Sequence, residues 1–273
     1  MLRIIDARTG EPVEAAPARR GLTRVEAHAR GLDATALRVL LVADVLVRAL
    51  ELGGTPVWGL LAGERQQAEL RAACAALGVR PLEDRSAAGP GLGERQILHV
   101  VADEGTAPEG VRVGVAAVEA PAEAGRLPRE PAADVAGEEG VPGEGVPPGL
   151  RLGPLGPLLD GDPAVLRLAL LSRRRSEPVR LDARALAEAR ETLDRWRRIV
   201  AEWARQPSRP VPDEVRARLR AAWEDDLDVP GVLRVLRWVE GEPELPDGAR
   251  FETYVHADRL LGLDLARDLG ALP

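Results

Sequence analysis

The chain has no lysine and no asparagine, and its 273 residues include one cysteine, Cys74. Every positive side chain apart from histidine is therefore an arginine, and isoleucine is scarce as well. Codons for these missing residue types are AT-rich, so a GC-rich genome accounts for the bias without selection for guanidinium chemistry. A single cysteine excludes an internal disulfide and any site that needs two thiolates from one chain. Long apolar runs are lacking too. The longest, ALRVLLVADVLVRALEL, is interrupted by Arg38, Asp44 and Arg48, and so is not a membrane span. The opening segment, MLRIIDARTGEP, is too polar for a signal peptide, which points to the cytoplasm. A net charge of -7 leaves no global basic field to attract DNA or acidic lipid, so RNA contact would need a local patch.

What is present divides into two patterns. An apolar fraction of 45% over this length permits one large domain or two modest ones. Within residues 1–120, LRIIDA, TPVWGLLA, QILHVVAD and VRVGVAAVEA read as strands. Between them, Asp33 stands at the N-cap of a helix from Ala34 to Leu52, and GERQQAELRAACAALG forms a second helix. Strands alternating with helices predict a parallel sheet. Residues 121–158 concentrate Pro, Gly and Glu and read as a linker or long loop. From 159 to 273 the pattern is wholly helical, with segments at 162–172, 182–204, 213–227, 230–239 and 247–261. Four of the five tryptophans fall there, on stripes that predict a bundle core.

The helical half carries specific wording. PAVLRLALLSRRRSEPVRLDARALAEARETLDRW, VPDEVRARLRAAWEDDLDVPGVLRVLRWV and RFETYVHADRLLGLDL together resemble cysteinyl-tRNA synthetase, and MLRIIDARTGEPVE and VADVLVRALELGGTPV resemble its N-terminal strand, helix and second strand. The resemblance covers roughly residues 1–62 and 155–270, the C-terminal half being the specific part. It implies an α/β class, a Rossmann-like class I synthetase core with a parallel sheet, followed by an all-α bundle.

The departures set the functional expectation. Reading back from Asp44-Val45-Leu46, the family's HIGH tetrapeptide falls on Asp33, Ala34, Thr35 and Ala36, with neither histidine. The first zinc-binding cysteine falls near Arg24, and the other zinc ligands have no counterpart. The KMSKS loop aligns with GEGVPPG or GLRLGPLG, neither of which holds a lysine, and the anticodon-binding domain is missing. A carboxylate at Asp33 would also fill the helix N-terminus that otherwise receives phosphate. No catalytic residue is assigned, and no cofactor or metal is expected.

Other constellations are weaker. His28, His99 and His256 read as scattered structural residues, and Cys74 as a small packing residue. Glu224-Asp225-Asp226 with Asp228 lacks the spacing of a calcium loop and reads as a solvated helix face. Arg173, Arg174, Arg175 and Arg180 overlap the family's stem-contact segment and form the candidate contact for RNA or a partner. The leading expectation is a synthetase-like chain without amino-acid activation, acting as a binding or accessory module for a partner protein, with tRNA as the second choice. The alternative is a divergent ATP-dependent cysteine ligase. Mycothiol ligase, which is similar to the same family and uses cysteine and ATP, is the pattern for it.

Overall fold

The computed structural model describes residues 1–17, 21–63, 66–84, 94–103, 109–119 and 161–270. The 121–158 segment and both stretches aligned with the KMSKS loop lie outside the described residues.

A five-stranded parallel sheet forms the first half. Its strands are β3 (Leu22–His28), β4 (Val57–Ala62), β5 (Glu83–Asp84), β6 (Glu94–Ala102) and β7 (Val111–Val115), in spatial order β5-β4-β3-β6-β7. The chain thus leaves β3 in one direction and returns to add β6 on its other side. That reversal makes the β3/β6 boundary the topological switch point, where open sheets of this kind bind ligands. A separate antiparallel hairpin, β1 (Arg3–Ile5) with β2 (Pro12–Glu14), precedes the sheet.

Helix α1 (Ala34–Leu52) packs across β3, β4, β6 and β7. Fifteen of its nineteen residues are buried, which explains why its sequence is apolar on nearly every side. Its N-terminus is closed by the Asp33 carboxylate, which accepts from the Ala36 N–H at 2.7 Å. Gly54, at φ +80°, lets the chain turn sharply into β4. Helix α2 (Gln67–Ala76) follows, shorter than its sequence pattern suggests. None of the described helices is long and apolar enough to cross a membrane.

The second half is helical: α3 (Pro163–Leu170), α4 (Ala183–Trp203), α5 (Asp213–Glu224), α6 (Val229–Gly241) and α7 (Asp247–Leu261). Asp162 and Asp182 cap α3 and α4, as their spacing predicts. The apolar stripe of α4, through Leu193, Trp196, Val200 and Trp203, faces the bundle interior. There Trp196 and Trp203 meet the Tyr254 ring edge-on at 5.7 and 5.2 Å, and the Tyr254 hydroxyl donates to the Leu236 carbonyl at 2.9 Å. These tryptophans are core. The short strands β8 (Val118–Glu119) and β9 (Val179–Arg180) pair in parallel and tie the two halves together.

The hydrophobic core is continuous from Ile4 to Leu265 and draws on both halves. Three buried arginines cross that junction. Arg38 of α1 donates to the carbonyls of Ala116, Leu170, Arg173, Arg174 and Glu177. Arg167 of α3 pairs with Asp44 of α1 and donates to the carbonyls of Leu77 and Leu261. Arg175 pairs with Asp226 and donates to the carbonyls of Ile5 and Gly114.

Candidate functional site

The N-terminus of α1 opens at the C-terminal edge of the sheet, beside β3 and β6. A cavity of about 100 Å³ lies there, and His28, Arg30, Asp33, Thr35 and Ala36 are among its lining residues. Three of the four positions aligned with HIGH, Asp33, Thr35 and Ala36, thus line the place where the fold would receive a ligand. Their polar groups are turned to the chain itself. Asp33 caps the helix, and the Thr35 hydroxyl accepts from the Val118 N–H at 3.0 Å, pinning β8 against α1. Ala34 and Ala36 are buried and offer no polar side-chain atom. The nearest helix cation, Arg38, points into the protein and spends its donors on the five carbonyls named above. Burial pulls its pKa down to about 10, so it stays charged at neutral pH.

The four arginines of the candidate contact patch do not share a surface. Arg175 is buried, and Arg174 is half-buried against Asp228 at 2.8 Å. Arg173 and Arg180 are exposed, the latter beside Asp182 at 3.1 Å. The acidic run at the end of α5 is a solvated face only in part, for Asp225 is exposed but Asp226 and Asp228 are not. Asp226 is buried, accepting from the Ile5 N–H at 2.9 Å and from Arg175, and so anchors the β1–β2 hairpin to the bundle. Asp228 is buried too, capping α6 through Gly231 N–H at 3.0 Å and pairing with Arg234 at the same distance. Asp226 and Leu227 hold left-handed backbone conformations, φ +54° and +55°, within this tight connection. The run's function is to join α5 to α6 while carrying two internal anchors.

One group of residues comes together that sequence reasoning kept apart. His28 ends β3 and His99 lies on β6, opposite Glu26 in the parallel register. Side chains alternate along a strand, so Arg24, Glu26 and His28 share one face of β3, with His99 beside them. His28 Nε2 is 3.0 Å from His99 Nδ1, and Glu26 Oε2 is 3.5 and 3.3 Å from those two atoms. Arg24 Nε holds the other carboxylate oxygen at 3.0 Å. Glu26 and His99 are buried, while the His28 side chain is 16% exposed and borders the cavity. His256, the third histidine, is far off in sequence on α7, where its ring lies 5.8 Å from that of Trp223. The missed signal was the alternation in LTRVEAH, whose Thr23, Val25 and Ala27 face one way and whose Arg24, Glu26 and His28 face the other.

Arg24, near which the family's first zinc thiolate is expected to fall, is a cation that cannot ligate a metal. The lone thiol, Cys74, is buried in α2, and burial with the nearby Asp44 pushes its pKa up to about 12. A thiol kept protonated in this way is a weak nucleophile, and Cys74 is not part of the Glu26–His28–His99 group.

No protein-family model matches the chain. Curated relatives match part of it. The L-cysteine:1D-myo-inositol 2-amino-2-deoxy-alpha-D-glucopyranoside ligase of Parafrankia sp. (strain EAN1pec) is 40% identical over 113 residues, 38% of this chain and 24% of that protein. The ligase of the same name from Streptomyces griseus is 38% identical over 108 residues, again 38% of this chain and 25% of the relative. The Cysteine--tRNA ligase of Xanthobacter autotrophicus is 35% identical over 101 residues, covering 36% of this chain and 21% of that enzyme. The matched part thus spans about a quarter of these relatives' length. Over that part, and with a parallel sheet followed by helices, the chain is related to the cysteine-dependent ligases of class I synthetase type.

Proposed function

We propose that this chain derives from a cysteine-activating ligase, has lost amino-acid activation, and serves in the cytoplasm as a binding or accessory module for a partner protein. The observation that carries this reading is the α1 N-terminus, where Asp33 and Thr35 satisfy the chain's own N–H groups and the adjoining cavity is about 100 Å³. Pockets for drug-sized ligands run to about 300–1,000 Å³. Activation of a carboxylate on ATP is mostly positioning and neutralisation of developing charge. Loss of one well-placed donor costs about 2.7–4 kcal/mol of barrier, and the HIGH-aligned positions have lost both imidazoles. A protein partner is favoured over tRNA because two of the four patch arginines are engaged internally and the net charge is -7.

The second reading is a divergent ATP-dependent cysteine ligase, and the names of the matched relatives favour it. Thermal melting separates the two. ATP, cysteine and a nonreactive cysteinyl-adenylate analogue are each expected to leave the melting temperature unchanged. A ligase with the analogue at a hundred times its Kd would gain about 2.7 kcal/mol, a rise of about 5–10 °C for a chain of this size. Such a rise would favour the ligase.

A further inference from the structure

We propose that Glu26, His28 and His99 form a binding site for one divalent transition-metal ion of the zinc type, set at the switch point of the sheet. The inference does not rest on the functional reading above, because it concerns different atoms and is read without ATP.

The spacing of the three donor atoms is the first ground. They stand 3.0, 3.3 and 3.5 Å apart. An ion bonded tetrahedrally at about 2.0–2.1 Å keeps its ligand atoms about 3.3–3.4 Å from one another. The three atoms therefore outline one face of such a tetrahedron, with a fourth vertex left for water. Two imidazoles and one carboxylate suit zinc, cobalt or nickel; calcium and magnesium take oxygen donors.

The orientation of each donor is the second ground. His99 Nε2 faces the Glu109 carbonyl at 3.3 Å, which places the ring proton there and turns the Nδ1 lone pair toward the cluster. Gly110 permits this approach, since a Cβ on it would come within 3.0 Å of the His99 ring. Arg24 holds Glu26 Oε1 and so directs Oε2 at the imidazoles. His28 Nε2, His99 Nδ1 and Glu26 Oε2 thus converge on one point between the two strands, with the last two 3.3 Å apart in a buried place. On binding, the neutral His28 ring passes to the tautomer protonated at Nδ1 and ligates through the Nε2 lone pair.

Placement is the third ground. The cluster joins β3 to β6, where the strand order reverses, and His28 at the end of β3 lies between it and the cavity. An ion has an entry path past a ring that is 16% exposed.

The test uses the full chain, stripped with a chelator. Zn²⁺ is titrated by calorimetry, and Co²⁺ is followed by its d–d absorption. The expected result is one ion per chain, a cobalt spectrum of four-coordinate intensity, and at least tenfold weaker zinc binding in His28→Gln. His28→Gln changes a partly exposed ring at a strand end, and Glu26→Gln with a circular dichroism check on folding provides a second reading. His256→Gln, on α7, should bind as the parent does. The proposal is overturned if binding is not stoichiometric, if cobalt gives a six-coordinate spectrum, if His28→Gln binds zinc as tightly as the parent, or if the urea-unfolded chain binds equally well.

Discussion

Arg38 illustrates what an arginine-only chain can do that composition does not reveal. Its fork reaches five carbonyls, collecting the end of α3, the turn after it and the segment after β7 around one residue of α1. A lysine has three donors on a single nitrogen, so it would leave at least two of those carbonyls short. Each buried group left unsatisfied costs about 1–3 kcal/mol. Arg38→Lys is therefore expected to lose about 2–6 kcal/mol of stability with the charge retained, read as a lower denaturant midpoint at an unchanged slope. Arg175 makes the same point. Its place in the run Ser172-Arg173-Arg174-Arg175-Ser176 suggests a surface grip on phosphate, yet the side chain is buried against Asp226, Gly114 and Ile5. Nothing local marks it, because its partners lie 51, 61 and 170 positions away.

At the scale of elements, His256 of α7 carries a pH dependence. Burial first, and then Arg259 and Arg216, lower its pKa below the ordinary histidine value. As pH falls through about 6.5, the unfolded chain takes up a proton that the folded chain resists, so stability declines until the folded pKa is reached. The slope from this one group is at most about 1.4 kcal/mol per pH unit. Chemical denaturation between pH 7 and 5 should show a flatter decline in His256→Gln than in the parent; equal slopes would contradict the assignment. The helices were the most readable elements. α1 and α7 begin and end where the sequence puts them, because Asp33 and the Gly53-Gly54 pair bound α1 locally and Gly262, in a left-handed conformation, ends α7. Strand β3 was not readable. Its seven residues hold Thr23, Arg24, Glu26 and His28, and its two central apolar residues alone gave too short a period to recognise. Missing β3 also hid the Glu26–His28–His99 cluster, since only the β3/β6 register brings His28 and His99 within 3.0 Å. The use of Thr35 was not readable either, for the bond to it from Val118 spans 83 residues.

At the scale of the whole molecule, the halves are joined by buried charge as well as by apolar contact. Asp44 of α1 receives Arg167 from α3, Arg48 from its own helix at 2.8 Å, and the Arg80 N–H at 3.1 Å. Burial lowers the Arg167 pKa, and Asp44 opposes the shift. Removing one member of a buried pair strands the other, at a cost of about 3–5 kcal/mol, whereas removing both costs much less than the sum. Arg167→Met and Asp44→Leu should each destabilise strongly. Together they should show a favourable coupling of about 1–3 kcal/mol in a double-mutant cycle, measured by equilibrium denaturation. Additive losses would mean that the junction holds without the pair. The continuous core and these staples describe a class I synthetase-type framework, at whose ligand edge the Asp33 and Thr35 side chains serve the framework itself.

That contrast is most directly tested by cysteine-dependent exchange of labelled pyrophosphate into ATP, assayed on the purified full chain with and without Zn²⁺. The account predicts exchange no faster than in a blank without protein, at any cysteine concentration. Exchange that requires cysteine, and that is lost on substituting Thr35 or Asp33, would contradict it.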